Sequence, residues 1–247
     1  MIKLFRRIRQ KLFTENKYSI YLLYALGEII LVVLGILIAL QINNWNTNKK
    51  NQLKELGYIT NIIEDIESDI AKSNIALDQL NNAIEGLDSL LFELSSEGIY
   101  TKSNKAYSLW MNYIGFEEFI SNDRTLQLLK YSSGFEFITK KDASDAILEY
   151  DQNVENYNFQ SELISDILSN PQLFHEVFDV ISLEKSAHDS DPIPLLVEDY
   201  TLLNQLYGNR KIWKMALNGA ISYLEIVHDS GKWTNNMLRE VYNLNSD

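Results

Sequence analysis

Apolar and polar positions along this chain fall into three regimes, and the first is the plainest. From Tyr18 the sequence reads YSIYLLYALGEIILVVLGILIALQINNW, and between Ile20 and Ile42 only Glu28 and Gln41 are strongly polar. A helix rises about 1.5 Å per residue, so this stretch covers the ~30 Å hydrocarbon core of a bilayer. Tyr18, Tyr21 and Tyr24 gather at one end and Trp45 at the other, where amphipathic rings favour the headgroup layer. The pattern predicts a transmembrane helix over 18–45. A cleaved signal peptide needs a shorter apolar run, about 7–15 residues, ending in a small-x-small site. Here Ala39-Leu40-Gln41 puts glutamine where a small residue is needed. Before the span, Ile2, Phe5, Ile8 and Leu12 recur at helical spacing among cations, so residues 1–17 read as a basic amphipathic leader.

Past Trp45 the segment NTNKKNQ is polar but lacks glycine and proline, so nothing forces the helix to stop. Apolar residues then alternate at spacings of three and four: Leu56, Ile59, Ile63, Ile66, Ile70, Leu77, Leu80, Ile84, Leu87, Leu91 and Leu94, interrupted only by Ser73. A 3.5-residue period keeps one stripe facing a partner helix, which predicts a long heptad-patterned helix over 46–97. Two partners remain open. A second copy would make a coiled coil, whereas Ile62, Ile75, Ala76, Ala83 and Leu90 widen the stripe as a bundle helix with several neighbours requires. The acidic run Glu64, Asp65, Glu67, Asp69 is expected to form a solvated face. Counted back in sevens, the register reaches Lys49, Ile42, Gly35 and Glu28, so an unbroken helix would carry one face from span to seam.

Residues 98–247 read as a helical bundle domain. YSLWMNYIGFEEF from Tyr107 predicts a short aromatic helix packing onto the long one. Ser133-Gly134 can end a helix through a left-handed glycine, and Thr139 with Asp142 resembles an N-terminal cap. Helix is expected from Asp145 to Leu168, up to Asn170-Pro171. The polar loop SAHDSDPIP spans Ser186–Pro194, with final helices over 195–207, 210–227 and 235–244. The fold class is all-α: an N-terminal transmembrane helix, open to continuation into the heptad helix, packed in an extramembrane bundle.

Composition supports helices, since 46% of residues are apolar and only 10 are glycine and 3 proline. The chain has no cysteine, which excludes disulfides, thiol nucleophiles and cysteine zinc sites. Its net charge of −12 is unevenly placed. Residues 1–27 carry Lys3, Arg6, Arg7, Arg9, Lys11 and Lys17 against Glu15, so the acidic excess lies wholly beyond the span. Basic flanks stay cytoplasmic, which predicts a cytoplasmic N-terminus and a C-terminal domain on the far side of the membrane. Lys3, Arg6, Arg7, Arg9 and Lys11 are then placed to contact lipid headgroups. The acidic remainder speaks against nucleic acid as a partner.

Taken together, YLLYALGEIILVVLGILIALQINNWN, its basic leader, and the later TLQLLKYSSGFEFI followed by ILEYD resemble a bacterial family of single-span proteins known only as a domain of unknown function. The resemblance implies the same topology, here a bacterial inner-membrane protein with a periplasmic C-terminal domain, and no known activity. For chemistry, Glu28 stands out, because an acid at the centre of a membrane helix costs ~2.5–3.5 kcal/mol on insertion scales. Tyr24 and Gly35 share its face, and Gly35 with Ala39 forms a small-xxx-small pair that permits close helix approach. These four residues are expected to form an intramembrane polar or oligomer contact, with proton coupling at Glu28 the sharper alternative. His175, His188 and His228 are scattered, with no HExxH and no pairing of nucleophile and base. His188, Asp189 and Asp191 could hold a metal but read as a solvated turn. The expectation is therefore a protein without catalytic residues, metal or cofactor. It would act as a self-association or envelope-complex module, partnered by membrane lipid and by its own copies or other envelope proteins. The alternative is a sensory or energy-transducing subunit working through Glu28, whose output a partner would supply because the cytoplasmic tail is short.

Overall fold

A computed structural model describes residues 18–96, 99, 104–113, 118–168 and 200–244. Among the described residues there are five α-helices and no strand. They are α1 (Tyr18–Leu94), α2 (Asn104–Tyr113), α3 (Arg124–Tyr131), α4 (Lys141–Leu168) and α5 (Tyr200–Val241), with a 3₁₀ turn at Gly134–Phe137 between α3 and α4. The polar junction NTNKKNQ is helical, as the lack of breakers suggested. The chain divides into two units, Met1–Leu56 and Gly57–Asp247.

In the first unit, α1 contains a stretch long and apolar enough to cross a membrane, none of it buried. It is a candidate membrane span. The basic leader, with Lys3, Arg6, Arg7, Arg9 and Lys11, lies outside the described residues.

In the second unit, the outer part of α1 packs with α4 and α5. Contacts pair Glu67 with Arg239, Ser73 with His228 and Asp88 with Lys214, so α5 runs antiparallel to α1. Gln160 lies against Gly219 and Tyr150 against Gly231, so α4 is antiparallel to α5 as well. α1 and α4 are therefore parallel, and the chain between them must travel back along α1. It does so by way of Lys105 on Glu93, Lys72 on the Ile120 carbonyl at 3.1 Å and Asn122 on Asp69 at 2.7 Å. Phe119 anchors this return segment edge-on to Tyr157 of α4, 5.4 Å between ring centres.

The seam of α1 is real, but it is broader than the expected one and leans to one side of it between Asp69 and Leu90. The buried apolar positions are Ile59, Ile62, Ile63, Ile66, Ala76, Leu80, Ala83, Leu87, Leu90, Leu91 and Leu94, with Asp65, Asp69 and Ser73 buried among them. Ile70, Leu77 and Ile84 are only half-buried, Leu56 is exposed, and Ile75 points outward. Two neighbouring helices pull the buried stripe toward the residues expected merely to widen it, and α4 and α5 of the same chain fill it. The acidic run is corrected too, since Asp65 and Asp69 are buried whereas Glu64 and Glu67 are exposed.

α5 replaces the separate helices expected over 195–207, 210–227 and 235–244. Its buried positions, Leu203, Leu206, Arg210, Trp213, Leu217, Ala220, Leu224, Val227, Gly231, Thr234 and Leu238, recur at threes and fours without interruption. That stripe holds the helix through Gly208 and the HDSG tetrapeptide, because burial along one face outweighs the ~1 kcal/mol propensity loss at a glycine. Gly231 belongs to the core: an added Cβ would lie 3.2 Å from the Tyr150 ring. After Val241 the helix closes with Asn243 left-handed, φ 54°, and the Leu244 N–H donating to the Arg239 carbonyl at 2.8 Å.

At the end of α3, Ser133 takes the left-handed conformation, φ 54°, where Gly134 was expected to. Gly134 serves close approach instead, since a Cβ there would sit 2.5 Å from Leu129 Cδ2. The aromatic helix expected from Tyr107 starts at Asn104 and ends at Tyr113, leaving Glu118 and Phe119 in irregular chain, and α4 stops at Leu168, just before Asn170-Pro171.

Candidate functional site

Among the described residues, the densest buried polar cluster lies where the return segment crosses α1. Asp65 and Asp69 are one helical turn apart and therefore share a face. Asn122 donates its side-chain amide to Asp65 Oδ1 at 2.7 Å and its backbone N–H to Asp69 Oδ1 at 2.7 Å. The Thr125 N–H donates to Asp65 Oδ2 at 3.2 Å, and the Tyr150 hydroxyl to Asp69 Oδ2 at 2.9 Å. Lys72 Nζ stands 3.8 Å from Asp69 Oδ1. Each of the four carboxylate oxygens thus has a donor.

The local logic is helix capping across the fold. Thr125 lies in the first turn of α3, where backbone N–H groups lack intrahelical acceptors. Asp123, at the N-cap position, makes no side-chain cap bond and accepts from Gln127 Nε2 instead. Asp65, from sixty residues earlier in the chain, supplies the missing acceptor and the negative charge that a helix N-terminus favours.

Electrostatically, burial pushes the Asp69 carboxyl above its ordinary range and outweighs the Asn122, Tyr150 and Lys72 contacts that pull it down. Burial pushes the Tyr150 phenol up in the same way, and the Asp69 and Asp65 charges push it further. A cavity of about 30 Å³ lies among Ile62, Asp65, Asp69, Asn122, Leu126 and Tyr150, room for about one water molecule. With its oxygens occupied and so little space, the cluster works as a clasp that fixes the return segment to α1.

Two other buried polar residues pair along the seam. Ser73 Oγ donates to the Ile70 carbonyl at 3.0 Å and lies 2.9 Å from His228 Nδ1, so the imidazole carries the shared proton. An activated serine needs the opposite direction, its own proton pointing at the imidazole. Ser73 is also fully buried, so the pair satisfies two core polar groups. Among the described residues, no three His, Cys, Asp or Glu side chains gather to hold a metal ion. His175, His188, Asp189 and Asp191 lie outside the described residues.

On the candidate span, Tyr24, Glu28, Gly35 and Ala39 follow one another at spacings of four, seven and four, which places them on one face of α1. All four are exposed, and nothing lies within 4 Å of where a Gly35 Cβ would stand.

Comparison with known sequences now adds one finding. Residues 28–109 match DUF6090, a family of unknown function. The DUF6090 segment begins at Glu28 and includes Gly35, Ala39, Asp65, Asp69 and Ser73, but ends before Asn122, Tyr150 and His228. It agrees with the resemblance to an uncharacterised family, and TLQLLKYSSGFEFI lies beyond it. No curated protein and no solved structure matches the chain.

Proposed function

We propose that this chain is a non-enzymatic protein of the bacterial inner membrane, N-terminus in the cytoplasm and residues 57–247 in the periplasm, whose span associates with a second copy of itself. One observation carries the reading: the apolar stretch is uncovered along its whole length, and a carboxyl group, Glu28, sits on it. In hydrocarbon that group is costly unless another helix supplies a partner. Gly35 and Ala39, on the same face, let backbones approach closely, and Tyr24 offers a hydroxyl.

Because the chain has no cysteine, single cysteines map the contact cleanly. Ile42→Cys, on the Glu28 face, should form a disulfide dimer in membranes, whereas Leu37→Cys, half a helical turn around from Glu28, should not. Gly35→Leu should cut the Ile42→Cys dimer roughly tenfold by blocking close approach. Equal cross-linking at both positions, or indifference to Gly35→Leu, would sink the proposal. Orientation has its own check: a reporter fused after Asp247 should be active only if it needs the periplasm, and a signal from a cytoplasm-only reporter would reverse the topology.

A further inference from the structure

Arg210 sits in the buried stripe of α5, only 6% exposed. Its guanidinium carbon stands 3.8 Å from the centre of the Trp110 ring and 5.1 Å from that of Trp213. Among the described residues it has no hydrogen bond and no ion pair, and its Nε is sealed from water without an acceptor. Trp213, 1% exposed and three residues further along the same helix face, has an indole N–H in the same condition. Burial lowers the Arg210 pKa to about 10, far too high for the group to discharge near neutrality.

A buried guanidinium without a counter-charge is among the most costly features a core can hold. Ring stacking offsets part of that cost, but it uses the face of the guanidinium and leaves the buried in-plane Nε without an acceptor. A guanidinium presents its donors as a planar fork suited to two oxygens of one anion, and Trp213, its ring centre 5.1 Å from the guanidinium carbon, carries a second buried donor without an acceptor. Among the described residues, the buried Asp65, Asp69, Ser73 and His228 all have partners, so Arg210 stands apart from them.

We propose that Arg210 and Trp213, walled by Trp110, form a binding site for a small oxyanion of the carboxylate or phosphate class. The anion's oxygens accept from the guanidinium fork and the indole N–H, neutralising the buried Arg210 cation. Bound anion would join α5 to α2 through Trp110 and stabilise the second unit by mass action.

The test uses the full chain in neutral detergent carrying Trp45→Phe and Trp233→Phe, so that only Trp110 and Trp213 of its 4 tryptophans emit. Sodium phosphate and sodium acetate are titrated separately, with ionic strength held constant by sodium chloride. The expected result is a saturable change in emission and a saturable rise in Tm with at least one anion. Arg210→Met should abolish both while keeping the helical circular dichroism, and Arg210→Lys, which loses the fork, should bind roughly tenfold more weakly. The tighter of the two anions identifies whether planar or tetrahedral oxygens fit. No saturation with either anion, or equal saturation in Arg210→Met or Arg210→Lys, overturns the proposal.

Discussion

Asp69→Ala should lower the stability of the second unit by about 3 kcal/mol, more than the loss of any exposed ion pair could explain. The substitution strands the Asn122 backbone N–H and the Tyr150 hydroxyl, both of which end on this carboxylate. Lys72 contributes little to the figure, because its side chain is 46% exposed and water screens it. Chemical denaturation of the full chain, followed through tryptophan emission, measures the loss. Asp69→Asn keeps one acceptor oxygen and removes the buried charge, so it should cost only about 1 kcal/mol at neutral pH.

The same pair of proteins predicts a pH dependence with a definite sign. The Asp69 carboxyl titrates above its ordinary value of 3.8 in the folded state because burial disfavours the charge. As pH falls through the raised folded value, the native state takes up a proton before the unfolded chain does, and this group stabilises the fold. That contribution is complete below the unfolded value and lost as pH rises. The stability gap between wild type and Asp69→Asn should therefore shift in favour of wild type on acidification from neutrality toward pH 4. A shift the other way would mean that donors, and not burial, dominate the site.

Why sequence reasoning placed Asp69 in water is instructive. The alternation of threes and fours from Leu56 to Leu94 was visible, and so was the all-α class that the structure shows. Phase was not, because two stripes offset by one residue share every second member. Ile59, Ile66, Leu80, Leu87 and Leu94 belong to both, and only the companions decide between Ile70 with Leu77, half-buried, and Asp69 with Ala76, buried. An acid inside a six-residue acidic run gives no local reason to choose the second. Its donors are the backbone of Asn122 and the hydroxyl of Tyr150, which no spacing rule connects to it. Ser73 was legible as an anomaly, but its partner His228 is 155 residues away. The α5 stripe is hidden for a related reason: Gly208 and the HDSG tetrapeptide read as breaks, and Arg210, Gly231 and Thr234 fill core positions that a hydrophobic count passes over. Buried polar residues thus hide the helix faces that carry them, and in this chain those faces hold the clasp and the arginine.

Gly231→Leu should be as damaging as the loss of Asp69, about 3 kcal/mol, although it removes no hydrogen bond and improves local helix propensity. A Cβ at Gly231 already lies 3.2 Å from Tyr150 Cε2, 3.4 Å from Ile70 Cγ1 and 3.5 Å from Ile66 Cγ2, so a branched side chain has no room between α1 and α4. Alanine is the informative contrast. It gains about 1 kcal/mol of propensity and asks the ring to move by only a few tenths of an ångström, so its net effect should lie within about 1 kcal/mol of zero. Displacing that ring strains the bond from the Tyr150 hydroxyl to Asp69, which couples the glycine to the clasp. In a Tyr150→Phe background the ring can retreat without breaking a hydrogen bond. Gly231→Leu should then cost about 1 kcal/mol less than in wild type, a coupling that a double-mutant cycle reads directly. Strict additivity of the two substitutions would show that the ring and the carboxylate move independently, and would separate packing at Gly231 from the polar contacts that hold the return segment.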